Sequence, residues 1–117
     1  MNPIQKHSAT LLRGLFWCWT AAIWIGSLIP MSAPSIENGD KFQHLIGYSV
    51  LALLAQLIWK QPAKVWLFAS LMGVAIEFAQ ALTPYRSFDT HDMLANSLGA
   101  VLGVLLGMVV TRQRVPQ

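Results

Sequence analysis

Four long stretches of this chain are filled by apolar residues, and the polar residues that interrupt or border them recur at helical spacing. Gly14 to Ile29, Val65 to Leu82 and Met93 to Val110 are almost wholly apolar; Phe42 to Trp59 is a fourth run, broken by Gln43, His44, Tyr48, Ser49 and Gln56. A helix rising about 1.5 Å per residue crosses the hydrocarbon layer in roughly 17 to 25 residues. With its flanks each stretch meets or nearly meets that length. The pattern therefore predicts an all-α transmembrane bundle of four helices, a single domain over 1–117 with spans near 12–30, 42–59, 64–82 and 92–110.

The polar positions sort onto faces. Asp89, Asp92, Asn96, Gly99 and Gly103 are spaced 3, 4, 3 and 4, which keeps them on one side of the last helix. Gly73, Glu77, Gln80 and Pro84 do the same on the third, and Lys41, His44 and Tyr48 on the second. An ionisable group facing hydrocarbon costs some kilocalories per mole, so these stripes are expected to turn inward and satisfy one another at a common depth. After Arg13 the first helix carries no such group and reads as a packing wall. Gly99, Gly103 and Gly107 let a neighbouring backbone approach closely, which serves packing within the chain or, alternatively, a homodimer.

Composition agrees with the membrane reading: 55% of the 117 residues are hydrophobic and 11% charged. The net charge of +3 reports topology rather than nucleic acid, because no basic stripe, glycine-rich phosphate loop or zinc-finger spacing accompanies it. Lys6, Arg13, Lys60, Lys64, Arg112 and Arg114 fall at one end of the bundle, against Lys41 and Arg86 at the other, so both termini are expected in the cytoplasm. Glu37, Asp40, Asp89 and Asp92 then face outward. Trp17, Trp19, Trp24, Trp59 and Trp66 include candidate interface anchors. Lys6 and Arg13 before an apolar run also fit a secretory signal peptide, but Gly14 to Ile29 exceeds the usual apolar core of about 7 to 15 residues. The lone Cys18 can form no internal disulfide and is expected to be a small buried hydrophobe.

Asp40, Lys41, His44 and Tyr48, then Glu77, Gln80, Pro84 and Arg86, then Asp92, Asn96 and Gly99 form three spaced blocks. They resemble the signature of the VanZ-like family of small bacterial membrane proteins, similar to D-K-x-x-H-x-x-x-Y, E-x-x-Q-x-x-x-P-x-R and D-x-x-x-N-x-x-G. The likeness runs from Asp40 to about Gly107, and Tyr85 departs from it where many relatives carry glycine. It implies a multi-pass protein of the bacterial inner membrane, in a family named for an accessory protein that raises resistance to teicoplanin.

Three readings of the polar residues follow. As a binding module, an outward-facing pocket of Lys41, His44, Tyr48, Glu77, Gln80, Arg86, Asp92 and Asn96 holds the head group of an anionic lipid or lipid-linked envelope precursor, with Arg86 clamping a phosphate and Lys41 adding a point charge. As an enzyme on a lipid-linked substrate, Glu77 or Asp92 is the base and His44 the acid. As a structural network, Glu77 is a strut and Asp89 or Asp92 an N-cap. His44, Glu77, Asp89, His91 and Asp92 lack a recognised metal-ligand spacing and lie near two cations, so neither metal nor cofactor is expected.

Overall fold

Asn2 starts the first helix, well ahead of the apolar run. Its side chain accepts from the Gln5 backbone N–H while the Gln5 side chain accepts from the Asn2 N–H, a reciprocal cap with Pro3 at the first helical position. Helix α1 (Pro3–Leu28) therefore extends further toward the N-terminus than hydrophobicity alone indicates. Helices α2 (Gly39–Trp59), α3 (Pro62–Ala81) and α4 (Thr90–Arg114) complete the bundle, and all four contain segments long and apolar enough to cross a membrane. This computed structural model describes residues 2–29, 39–84 and 90–114, with no strand among them; the side chains of residues 39–41 and 113–114 fall outside the described residues.

Only Lys60 and Gln61 separate α2 from α3. Lys60 takes φ 55°, a left-handed conformation more often given to glycine, and its N–H closes onto the Gln56 carbonyl. Pro62 then opens α3 with its fixed φ. At the other end of α3, the Thr83 N–H and hydroxyl both donate to the Gln80 carbonyl, which covers a helix-end acceptor before Pro84 ends the run.

The closest helix pair is α2 against α4, and glycine makes it so. A Cβ at Gly99 would stand 2.5 Å from the Leu45 carbonyl oxygen, and one at Gly103 would overlap the Ser49 carbonyl outright. At Gly107 it would meet the Gln56 Cβ and Cγ at 2.8 Å. The small-residue stripe is thus buried within the chain, against α2. Helix α3 packs on α4 and α2; α1 touches α2 and α3, with no contact to α4 among the described residues. The core gathers Phe16, Tyr48, Leu51, Ala52, Ala55, Val65, Ala69, Met72, Ile76, Ala100 and Val104. Phe16 is the one α1 residue that is fully buried, and Cys18, expected inside, lies exposed on the outer face of that helix. The reason is geometric: two residues along a helix is about 200° of rotation, which carries Cys18 away from the face that Phe16 turns inward.

Three hydroxyls inside the spans are satisfied locally. Thr20, Ser49 and Thr111 donate to the carbonyls of Phe16, Leu45 and Gly107, each four residues back, so none needs water.

Candidate functional site

Three helices bring their polar stripes together near one end of the bundle. From α2 come His44 and Tyr48, one turn apart, with the two rings stacked at 6.3 Å. From α3 comes Glu77, and from α4 Asp92 and Asn96, again one turn apart. Glu77 and Asn96 have no exposed surface at all, and Tyr48 and Asp92 are also buried. A carboxylate and a carboxamide enclosed this fully in an apolar bundle require partners from the protein or from a ligand.

Asn96 is the hinge pin of the cluster. Its Oδ1 stands 2.8 Å from His44 Nδ1, joining α4 to α2. An amide oxygen only accepts, so Nδ1 is the nitrogen that donates to Asn96. The other ring nitrogen, Nε2, faces Asp92 Oδ2 at 3.9 Å, too long for a hydrogen bond but within reach of one hydroxyl placed beside both atoms. The side chains of His44 and Asp92 retain 10% and 9% exposure, which marks the edge by which the cluster meets its surroundings. Asp92 sits in the first turn of α4, inside the helix rather than at its cap, where the helix dipole favours a negative charge.

Gly73 makes room for this arrangement. A Cβ there would come within 2.8 Å of Asn96 Nδ2 and 3.1 Å of Asn96 Cβ, so α3 is notched where the asparagine crosses. Glu77, one turn further along α3, lies close enough to Tyr48 to act on its phenol electrostatically. The Tyr48 hydroxyl and Asn96 Nδ2 are buried without a hydrogen-bond partner among the described residues.

Gln80 behaves differently. It is buried on the same face of α3, but its amide donates to the Ser27 carbonyl of α1 at 2.9 Å, away from His44. Helix α1 is therefore more than a wall: besides receiving Gln80, it donates from Trp19 Nε1 to the Gly47 carbonyl of α2 at 2.8 Å. Backbone acceptors carry no sequence signature, so neither tie was readable from the polar pattern. His91 is exposed at the start of α4. The side chains of Lys41, Arg86 and Asp89 lie outside the described residues. No group of three or more His, Cys, Asp or Glu among the described residues is placed to hold a metal ion.

Four membrane-length helices closing over a buried carboxylate, imidazole and carboxamide define a multi-pass integral membrane protein with an intramembrane polar cluster. The chain belongs to the VanZ/LLP1 family, whose model matches residues 5–111. It is also similar to an uncharacterized protein, C11E3.10, of Schizosaccharomyces pombe (strain 972 / ATCC 24843), 40% identical over 42 residues. That match covers 36% of this chain and 26% of the yeast protein, so the chain spans about a quarter of that relative's length. No solved structure matches.

Proposed function

We propose that this protein binds the polar head group of a membrane lipid, a phosphate-bearing glycolipid or lipid-linked envelope precursor, in the chamber between α2, α3 and α4. The observation that carries the reading is the complete burial of Glu77 and Asn96 beside His44, Tyr48 and Asp92 in helices otherwise suited to hydrocarbon. Carboxylates accept from sugar or glycerol hydroxyls, so Asp92, at the accessible edge, would hold the uncharged portion of the head group with Glu77 buried behind it. One ligand hydroxyl can donate to Asp92 Oδ2 while lying beside His44 Nε2. Arg86 and Lys41 are assigned to the phosphate, because the buried groups alone would repel it. The apolar tail then continues into the bilayer.

The excess of Lys and Arg at the α2–α3 turn and the outer ends of α1 and α4 favours a chamber on the opposite, periplasmic side of a bacterial inner membrane, with both termini in the cytoplasm. A contribution to envelope or teicoplanin resistance follows if the bound lipid is an envelope precursor. The test is the lipid retained through purification in mild detergent, quantified by mass spectrometry. Wild type is expected to retain one lipid class that Arg86→Ala loses by about tenfold or more, the scale of a charged hydrogen bond. Equal retention by both proteins refutes the reading.

The fixed orientation of His44 favours a second reading, acid–base catalysis on the same lipid. With Nδ1 held by Asn96, a proton carried on Nε2 would be given to the substrate by His44 as the acid, while Glu77 or Asp92 takes one from a substrate hydroxyl as the base. Lipid bound unchanged by wild type and by Glu77→Gln, with no product accumulating in wild type alone, eliminates turnover and leaves binding.

A further inference from the structure

The opposite end of the bundle holds a cleft of a different kind. A cavity of about 270 Å³ opens between α1, α2 and α3 beside the Lys60 turn, walled by Phe16, Trp17, Trp59 and Phe68 with Lys64 at its rim. The aromatic walls are ordered: Phe16 meets Trp17 and Trp59 edge to face, each at 5.0 Å, and Phe68 at 6.2 Å. Phe16 is the buried floor, while Trp17, Trp59 and Phe68 remain partly exposed toward the bilayer. None of this belongs to the polar cluster, which lies at the other ends of the same helices.

Charge identifies the occupant. The acidic residues with described side chains, Glu77 near the end of α3 and Asp92 in the first turn of α4, both lie at the polar-cluster end, so neither neutralises Lys60 or Lys64. The start of α3 compounds the excess. Gln61 caps it without a side-chain hydrogen bond, and its first turn contains Lys64 and no acid, the reverse of what the helix dipole favours. A lysine and the positive end of a helix thus share one rim above an apolar slot. An anionic amphiphile complements both features. We propose that this cleft binds one acyl chain of an anionic phospholipid, whose phosphate rests on Lys64 and the first turn of α3.

The test uses the full chain in phosphatidylcholine bilayers, with a fixed minor fraction of the lipid replaced by phosphatidylglycerol or phosphatidylcholine brominated on an acyl chain. Bromine quenches tryptophan on contact, and Trp17 and Trp59 line the cleft. Brominated phosphatidylglycerol is expected to occupy the site with roughly fivefold preference, the worth of one lysine at a membrane surface. Lys64→Gln abolishes that preference; Lys6→Gln, on α1 away from the cleft, keeps it. Equal quenching by the two lipids in wild type overturns the proposal. So does a preference that survives Lys64→Gln, or one that Lys6→Gln removes as completely, since that would be a diffuse field. Lys64 is exposed, so its replacement leaves the fold intact. Lipid retention by wild type and Arg86→Ala is read out separately, and either result can fail alone.

Discussion

At the scale of single residues, Asn96 decides how the polar cluster is wired. It is fully buried, touches the notch at Gly73 and holds His44 Nδ1. Asn96→Ala is expected to free the imidazole to exchange tautomers, seen as a change in the His44 ring nitrogen shifts by NMR, and to cost about 1 to 3 kcal/mol through the polar groups left unpaired. Gly73→Ala attacks the same contact from the other helix. Pushing a methyl group into a packed amide costs roughly 1 to 3 kcal/mol, so the variant is expected to melt below wild type and to show the same loosened histidine. The importance of Asn96 was legible in the sequence, because an asparagine four residues after an aspartate in an apolar helix has no cheap position facing lipid. That Gly73 serves it was not. A glycine reads alike whether it faces lipid, a helix or a side chain, and only the crossing of α3 over α4 distinguishes these.

At the scale of helices, glycines separate into those that matter and those that do not. Gly14 and Gly26 have nothing within 4 Å of where a Cβ would lie, whereas Gly99 and Gly103 lie against the backbone of α2. Gly26→Ala is expected to leave the melting temperature in detergent unchanged or slightly raised, alanine being the better helix former by about 1 kcal/mol. Gly99→Ala must push α2 and α4 apart and is expected to lower it sharply or prevent folding. The turn between α2 and α3 offers a complementary measurement. Lys60 holds a left-handed conformation that costs a non-glycine residue roughly 1 to 2 kcal/mol, so Lys60→Gly is expected to be tolerated or mildly stabilising where Lys60→Val is destabilising, by the same melting assay. The existence of four helices followed from the hydrophobic runs, whereas α2 starts at Gly39 and α3 at Pro62, ahead of the apolar positions that marked them. The early start of α1 did not follow from them either, because its first two turns are polar and depend on the Asn2 cap rather than on burial.

For the whole molecule, polarity is divided lengthwise: a largely buried acidic and imidazole cluster near one end, Lys64 and an aromatic cleft at the other. With Cys18 replaced by serine, Thr90→Cys is expected to react with a membrane-impermeant maleimide in intact cells, and Gln61→Cys only after permeabilisation. The reverse pattern would invert the assigned orientation. Convergence of His44, Tyr48, Glu77, Asp92 and Asn96 was foreseeable from spacing, since each stripe had to turn from lipid. The diversion of Gln80 toward Ser27 was not, since spacing assigns a residue to a face but cannot tell which of two neighbours that face will meet. The dominance of the α2 and α4 pair has a further consequence for biogenesis. The two partners are separated in synthesis by all of α3, so when the ribosome has delivered the first three segments, the groove in α2 is vacant and Glu77 lacks its asparagine-bearing neighbour. Such a half-built intermediate is expected to stay with the insertion machinery until the final segment arrives, so a terminated chain cut just before Thr90 should be crosslinked to that machinery more strongly than the 117-residue chain.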